Sequence, residues 1–227
     1  MDIIEKYVTE HSVRENEALR WIRKQTNLRT THPRMLSGPV QGGLLTILAG
    51  LSGVKRALEL GTFTGYSSVC IALGLPPDGH LDSLEINDEL VDVIYEGWER
   101  AGVRDKITLH SGNALDTLER FRKEGAEAYD MVYIDADKRH YCEFFEAVLP
   151  LVREGGLIIA DNTLWGGKVL MEPRPTDGQT EGIFRFNEAA ASDTRVRTVM
   201  IPVRDGLTIM QKITPGQRDC QQVRREQ

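Results

Sequence analysis

Cysteine is scarce in this chain. The 227 residues hold three, Cys70, Cys142 and Cys220, odd in number, far apart and without a CxxC pair. That argues against a disulfide framework and a zinc site, and Cys70 and Cys142 read as small core residues. Positive charge is also short: 28 Lys and Arg face 34 Asp and Glu, a net charge of −6. A nucleic-acid surface needs clustered cations, so no nucleic-acid partner is expected. No run approaches the roughly 18 uninterrupted apolar residues of a membrane span. The opening MDIIEKYVTEHSVRENE is too charged for a signal peptide. A cytoplasmic protein with no membrane partner is therefore expected. Repeats and domain linkers are lacking too. What is present, 41% hydrophobic and 27% charged residues, suffices for the core of one globular domain.

Two segments ahead of any strand signal have helical spacing of apolar residues, Val13–Thr26 and Pro39–Leu51. Between them NLRTTHPRMLSG is rich in turn formers and reads as a loop. Short apolar runs then alternate with helical stretches. Strands are predicted over Arg56–Leu60, Gly79–Leu84, Ile107–His110, Tyr129–Ile134 and Gly156–Ala160, with helices beginning near Tyr66, Asp88, Ala114, Lys138 and Gly178. Such alternation implies right-handed crossovers, a mostly parallel sheet with helices on both faces, and ligands at the carboxyl ends of the strands. Two last runs, Val196–Val203 and Thr208–Ile213, flank Arg204-Asp205-Gly206-Leu207, which predicts an antiparallel C-terminal hairpin. The expected organisation is one domain: helical segments over residues 1–52 packed on a core over 53–213. The tail over 214–227 has too little to bury and is expected to be disordered.

The first strand runs into ALELGTFTGYSS, with Glu59, Gly61 and Gly65 at the turn into a helix. This is not the GxGxxG fingerprint, and Glu59 puts negative charge where a pyrophosphate would sit. Glu85, twenty residues after Gly65 at the end of the second strand, has the offset of a carboxylate that accepts from ribose hydroxyls. The pair suggests a nucleoside ligand without phosphates, and S-adenosylmethionine has that description. A tight strand-to-helix connection explains the glycine turn alone equally well.

The fourth strand runs into DADKRHY and the fifth into ADNTLWGG. Carboxylates closing neighbouring buried strands repel unless a cation lies between them. Asp135, Asp161 and Asn162 offer three oxygen ligands of the kind that suits Mg²⁺, leaving positions for two vicinal hydroxyls of a substrate and a water. The competing account of each Asp is a helix N-cap. Lys138, three residues after Asp135, is placed to take a hydroxyl proton; alone, it would read as a solvated helix charge. Trp165 is either a wall for an aromatic ring or a core residue under a loop.

ELGTFTGYSS, LEIN, YIDADKRHY and ADNTLWGG, in this order and spacing, resemble the cation-dependent O-methyltransferases of the catechol and caffeoyl-CoA type. The resemblance runs from about Met35 to Ile213. It implies a class I, Rossmann-like methyltransferase fold of seven strands, S-adenosylmethionine as donor, and a divalent cation (Mg²⁺, or Mn²⁺ or Ca²⁺) that chelates a small catechol. It further implies Asp135, Asp161 and Asn162 as metal ligands and Lys138 as base, with Asp135 in the catalytic centre. Met35, Ser37, Glu59, Gly61, Ser67, Glu85 and Ala114 would line the donor site, with Asp135 near the methionine end. DADK is the form found in the caffeoyl-CoA members, which places the chain nearer the plant and bacterial branch, although THPRMLSGPVQGG departs from the plant pattern. With the apolar helical faces of the N-terminal segments, the resemblance implies a homodimer. The alternatives are a nicotinamide dehydrogenase, a metal-independent methyltransferase and a non-catalytic nucleoside-binding module.

Overall fold

The computed structural model describes residues 3–51 and 53–214, and the chain divides into two compact units, Met1–Ala114 and Leu115–Gln227. Cys220 and almost all of the expected tail lie outside the described residues.

In the first unit three helices, α1 (Ile3–Glu10), α2 (Glu17–Arg29) and α3 (Pro39–Leu51), precede β1 (Arg56–Leu60). They are followed by α4 (Tyr66–Gly74), β2 (His80–Glu85), α5 (Val91–Arg100) and β3 (Ile107–Ser111). The strands lie in the order β3-β2-β1, all parallel. Four of the five residues of β1 are buried, the continuous burial of a strand covered on both sides. Helix α2 starts at Glu17 because the Asn16 side chain accepts from Leu19 N at 2.8 Å, satisfying a first-turn amide that has no partner within the helix. The helix expected over Val13–Thr26 is therefore displaced towards the C-terminus. Its Ile22 fits the gap left at Gly97 of α5, where a Cβ would stand 2.8 Å from it. The N-terminal segment is also tied to α4: Tyr66 Oη donates to Glu15 Oε1 at 2.5 Å, and Arg23 pairs with the same carboxylate.

The second unit takes up α6 (Ala114–Glu124), β4 (Tyr129–Ile134), α7 (Tyr141–Val148), β5 (Val152–Asp161), α8 (Gly178–Ser192), β6 (Val196–Ile201) and β7 (Leu207–Lys212). Its strands lie in the order β4-β5-β7-β6. β4 and β5 are parallel, and β7 is antiparallel to both its neighbours. The α/β fold of seven strands, mostly parallel with an antiparallel C-terminal hairpin, is thus the one expected.

Differences lie at the element ends and on the surface. Helix α1 has no counterpart in the expectation, since Ile3, Ile4 and Tyr7 are exposed and its eight residues are fewer than an isolated helix needs. The helix expected near Lys138 begins at Tyr141, because residues 138–140 form a single tighter turn capped by Asp137. Cys142 is half-buried rather than a core residue, whereas Cys70 is buried as expected. No helix among the described residues is long and apolar enough to cross a membrane.

Helix α8 approaches the backbone at Lys138 closely: a Cβ on Gly182 would stand 2.3 Å from Lys138 O and 2.9 Å from Arg139 Cα. Neither atom is a flexible chain end. Gly182→Ala should lower the unfolding free energy by about 1–3 kcal/mol, the usual cost of overpacking, as read by urea titration. An unchanged midpoint would show that α8 is free to shift.

Candidate functional site

Each unit gathers one set of the predicted residues. In the first, β1 delivers Glu59 and β2 delivers Ser83 and Glu85, while α4 starts beyond the glycine turn. Gly65 holds φ 82° at the N-cap of α4, a left-handed conformation that suits glycine, and its missing side chain leaves room for the Trp98 indole. Glu59 is fully buried. Its Oε2 accepts from Ser83 Oγ at 2.6 Å and from Ser68 Oγ, two partners that sequence reasoning did not single out. Helical spacing places Ser68 within α4, but only the β1–β2 register, which pairs Glu59 with Ser83, brings the other hydroxyl to the carboxylate.

The carboxylate of Glu85 spans the turn. Oε2 accepts from Thr62 N at 3.0 Å and Phe63 N at 2.7 Å, and Oε1 from Asn87 N at 2.9 Å. Three of roughly four lone-pair directions are engaged, which leaves Oε1 able to accept once more. Gly61 closes the turn, its N–H donating to Leu84 O at 2.9 Å. Ser67 lies buried in the first turn of α4. Ahead of α3, Met35 is exposed and Ser37 buried, and Ala114, half-buried, opens α6.

In the second unit β4 ends one residue before Asp135 and β5 ends at Asp161. Lys138 Nζ donates to Asp135 Oδ1 at 2.6 Å, and its side chain is only 9% exposed. Asp161 Oδ2 accepts from Tyr133 Oη at 2.9 Å, and Oδ1 from Asn162 N at 2.7 Å. Tyr141 Oη donates to the backbone oxygens of Ile134 and Asp161 at 3.2 and 3.0 Å, bracing the two strand ends against each other. Burial pushes the Asp135 carboxyl up to about 6, and the charge of Asp161 adds to the rise that Lys138 opposes. Tyr141 is held well above the usual phenol range, by burial first and by Asp135 next, so it serves as a neutral donor. Asn162 holds φ 57° and Trp165 φ 49°. The Trp165 indole N–H is buried without a hydrogen-bond partner among the described residues.

The cap account of the two acids fails on this geometry. The caps are Asp137, which accepts from Arg139 N at 3.1 Å, and Asp177, which accepts from Thr180 N at 3.0 Å to start α8. Asp135 is bonded to a lysine, and Asp161 to a phenol and to the amide next to it. No group of three His, Cys, Asp or Glu side chains able to hold a metal occurs among the described residues. The candidate set is instead two carboxylates and an amide. All its donors are oxygens, two of them from carboxylates, a set that suits a hard divalent cation.

The profile of the O-methyltransferase family matches residues 9–213. The chain belongs to this family. The O-methyltransferase is 35% identical over 222 residues to caffeoyl-CoA O-methyltransferase of Eucalyptus gunnii, which covers 93% of this chain and 88% of the relative. It is 36% identical over 207 residues to tricin synthase 2 of Oryza sativa subsp. japonica, covering 88% and 70%. Among solved structures, it is similar to the O-methyltransferase TomG of Streptomyces achromogenes, in complex with SAM, with TM-score 0.85, 33% identity and coverage of 93% and 96%. An O-methyltransferase of Bacillus cereus in complex with SAH gives TM-score 0.84 at 30% identity, covering 92% and 96%.

Glu85 accepts from the amides of both Thr62 and Phe63. Glu85→Ala should therefore reduce stability by about 1–3 kcal/mol, the cost of amides left without an acceptor, measured by urea unfolding. An unaltered unfolding curve would mean that water replaces the carboxylate and that the turn keeps its shape alone.

Proposed function

We propose that this O-methyltransferase transfers the methyl group of S-adenosylmethionine to one hydroxyl of a small vicinal-diol aromatic, a catechol, with the help of a divalent cation. The observation that carries this reading is the association of Asp135 with Lys138 and of Asp161 with Asn162 and Tyr133 at the ends of β4 and β5, with the helix caps supplied by other residues. The donor is supported by the glycine turn, by Glu85 with an oxygen that can accept again, and by two similar enzymes solved with SAM and SAH.

In the reaction the C–S bond of the sulfonium breaks, a C–O bond forms, and S-adenosylhomocysteine leaves. Asp135, Asp161 and Asn162 are assigned to hold the cation, which when bound acidifies a substrate hydroxyl and fixes two hydroxyls in one orientation. Lys138, the donor to Asp135 at 2.6 Å in the cation-free fold, is assigned to receive the proton as a neutral amine, since a cation and a sulfonium beside it would disfavour its ammonium form. In the donor half, Glu85 accepts from the ribose and Glu59 steadies the turn through Ser68 and Ser83. Met35, Ser37, Gly61, Ser67 and Ala114 complete its lining. Trp165 offers an indole face and an N–H that still needs an acceptor. Attack on a sulfonium neutralises charge in the transition state, so these residues act by positioning rather than by holding an oxyanion.

The test compares a 3,4-dihydroxyphenyl substrate with its monohydroxy analogue, each with Mg²⁺ and with EDTA. Turnover is expected for the diol with Mg²⁺ alone. Asp161→Ala should abolish it, and Lys138→Met should lower kcat by about 10²–10⁴-fold, the contribution of a positioned acid-base group. A second readout needs no substrate. The Asp135 carboxyl is raised to about 6, so the cation-free fold gains stability from it below the unfolded value and loses that gain as pH rises through about 6. A bound cation offsets the loss, so Mg²⁺ should raise Tm more at about pH 7.5 than at about pH 5. Equal rates on diol and monohydroxy compound, full activity in EDTA, or no Mg²⁺ effect on Tm would remove the cation from the mechanism.

We also propose that the enzyme is a cytoplasmic homodimer, because α1 leaves Ile3, Ile4 and Tyr7 exposed, a cluster that apolar contact with a second copy would cover. Sedimentation at micromolar concentration should give twice the chain mass; a monomer refutes it.

A further inference from the structure

Many short polar sequences can close a hairpin, and Arg204-Asp205-Gly206 is more constrained than that task requires. Arg204 holds φ 53°, a left-handed backbone that glycine or asparagine adopts with less strain. The turn is held in place from outside. Thr163 N donates to Gly206 O at 3.1 Å, Leu164 N to Asp205 O at 2.8 Å, and Gly166 N to Asp205 Oδ1 at 2.5 Å. The segment making these bonds begins one residue after Asn162 and contains Trp165. Leu207 pairs with Asp161 across β7 and β5, so Arg204 lies just beyond the carboxyl end of β5, where ligands of such sheets bind. Arg204 is exposed.

We propose that Arg204 is a specificity-determining residue of the acceptor site and that the acceptor carries a carboxylate in addition to its vicinal hydroxyls. A guanidinium offers a rigid fork of N–H donors that matches a carboxylate. A strained, non-glycine residue beside a site is accounted for when its side chain is used there. An anionic acceptor approaching Asp135 and Asp161 also meets two like charges, and a fixed cation at the rim reduces that repulsion.

The proposal rests on the diol reading of Asp135, Asp161 and Asn162, and the experiment separates the two. It compares 3,4-dihydroxybenzoate with its methyl ester, both with Mg²⁺, in the wild type, Arg204→Met and Arg204→Gly. The wild type should favour the acid by roughly tenfold in kcat/KM, the scale of one charge-assisted contact, and mainly through KM. Both variants should lose that preference while keeping the ester's kcat/KM and the KM for S-adenosylmethionine within about threefold. Arg204→Gly should in addition melt at a higher temperature, because glycine relieves the left-handed strain. Methylation of both compounds with the same acid-to-ester ratio in all three proteins overturns the role of Arg204 and leaves the diol reading standing. Methylation of neither compound by the wild type overturns both.

Discussion

A half-buried carboxylate and a buried one at the ends of adjacent strands, with a lysine bonded to the first, set the terms for the rest of the second unit. Asp135 and Asp161 cannot both be charged there without compensation. The protein meets that demand in steps. Lys138 neutralises one charge, Tyr133 and the Asn162 amide donate to the other, and Tyr141 bonds to the backbone at both strand ends. Burial still raises the Asp135 carboxyl, and the charge of Asp161 adds to the rise that Lys138 opposes. A fold that needed these acids only for stability would do better with amides or apolar residues, because burying unbalanced charge costs several kcal/mol. The arrangement accords with the cation proposed above.

The first unit solves a similar problem in the opposite way. Glu59 and Glu85 also lie at or next to strand ends, yet donors within the unit bond to them: two serine hydroxyls to Oε2 of Glu59 and three backbone amides to Glu85. Here the carboxylates shape the chain. Glu85 holds the 61–63 turn, and Tyr66, at the start of α4, anchors Glu15 and with it the N-terminal segment. Four non-glycine residues with positive φ are recorded among the described residues: Phe63, Asn162, Trp165 and Arg204. The first lies in this glycine turn and the other three around the end of β5. Strained backbone of this kind persists where the surroundings impose it and tends to gather at functional sites.

Much of this was legible in the sequence. The limits of β1, β4 and α3 match the expectation residue for residue, because apolar runs there stop abruptly at glycine, acid or proline. Asp135, Lys138, Asp161 and Asn162 stood out for the same reason, as polar residues closing apolar strands. Tyr133 did not. In sequence it is one more large residue in a buried strand, and its hydroxyl meets Asp161 only because β4 and β5 pair Tyr133 with Ile159, two residues before the acid and on the same face. Tyr141 was hidden likewise, since its partners are two backbone oxygens on different strands. A hydrogen bond across strands depends on register, and one sequence does not specify register between strands joined by a long crossover. The start of α7 was misplaced for a local reason: Asp137 caps a tight turn at 138–140, which delays the helix to Tyr141 and buries Lys138 instead of leaving it on a solvated helix face.

The antiparallel end of the sheet has a consequence for the same site. A strand added parallel to β5 would begin beside the amino end of β5, and its entry turn would lie away from Asp161. Because β7 runs antiparallel, its first residue, Leu207, pairs with Asp161, and the turn that precedes it falls at the carboxyl end of β5. That turn then bonds to residues 163–166, and Thr208 Oγ1 donates to Thr163 Oγ1 at 3.0 Å. Asn187 of α8 adds a bond from its side-chain amide to Thr163 O at 2.7 Å. The chain that follows the candidate ligands is thereby fixed by β7 and α8, although it has irregular backbone. Rigid elements position a site more accurately than loops do, and the hairpin gives this loop that rigidity.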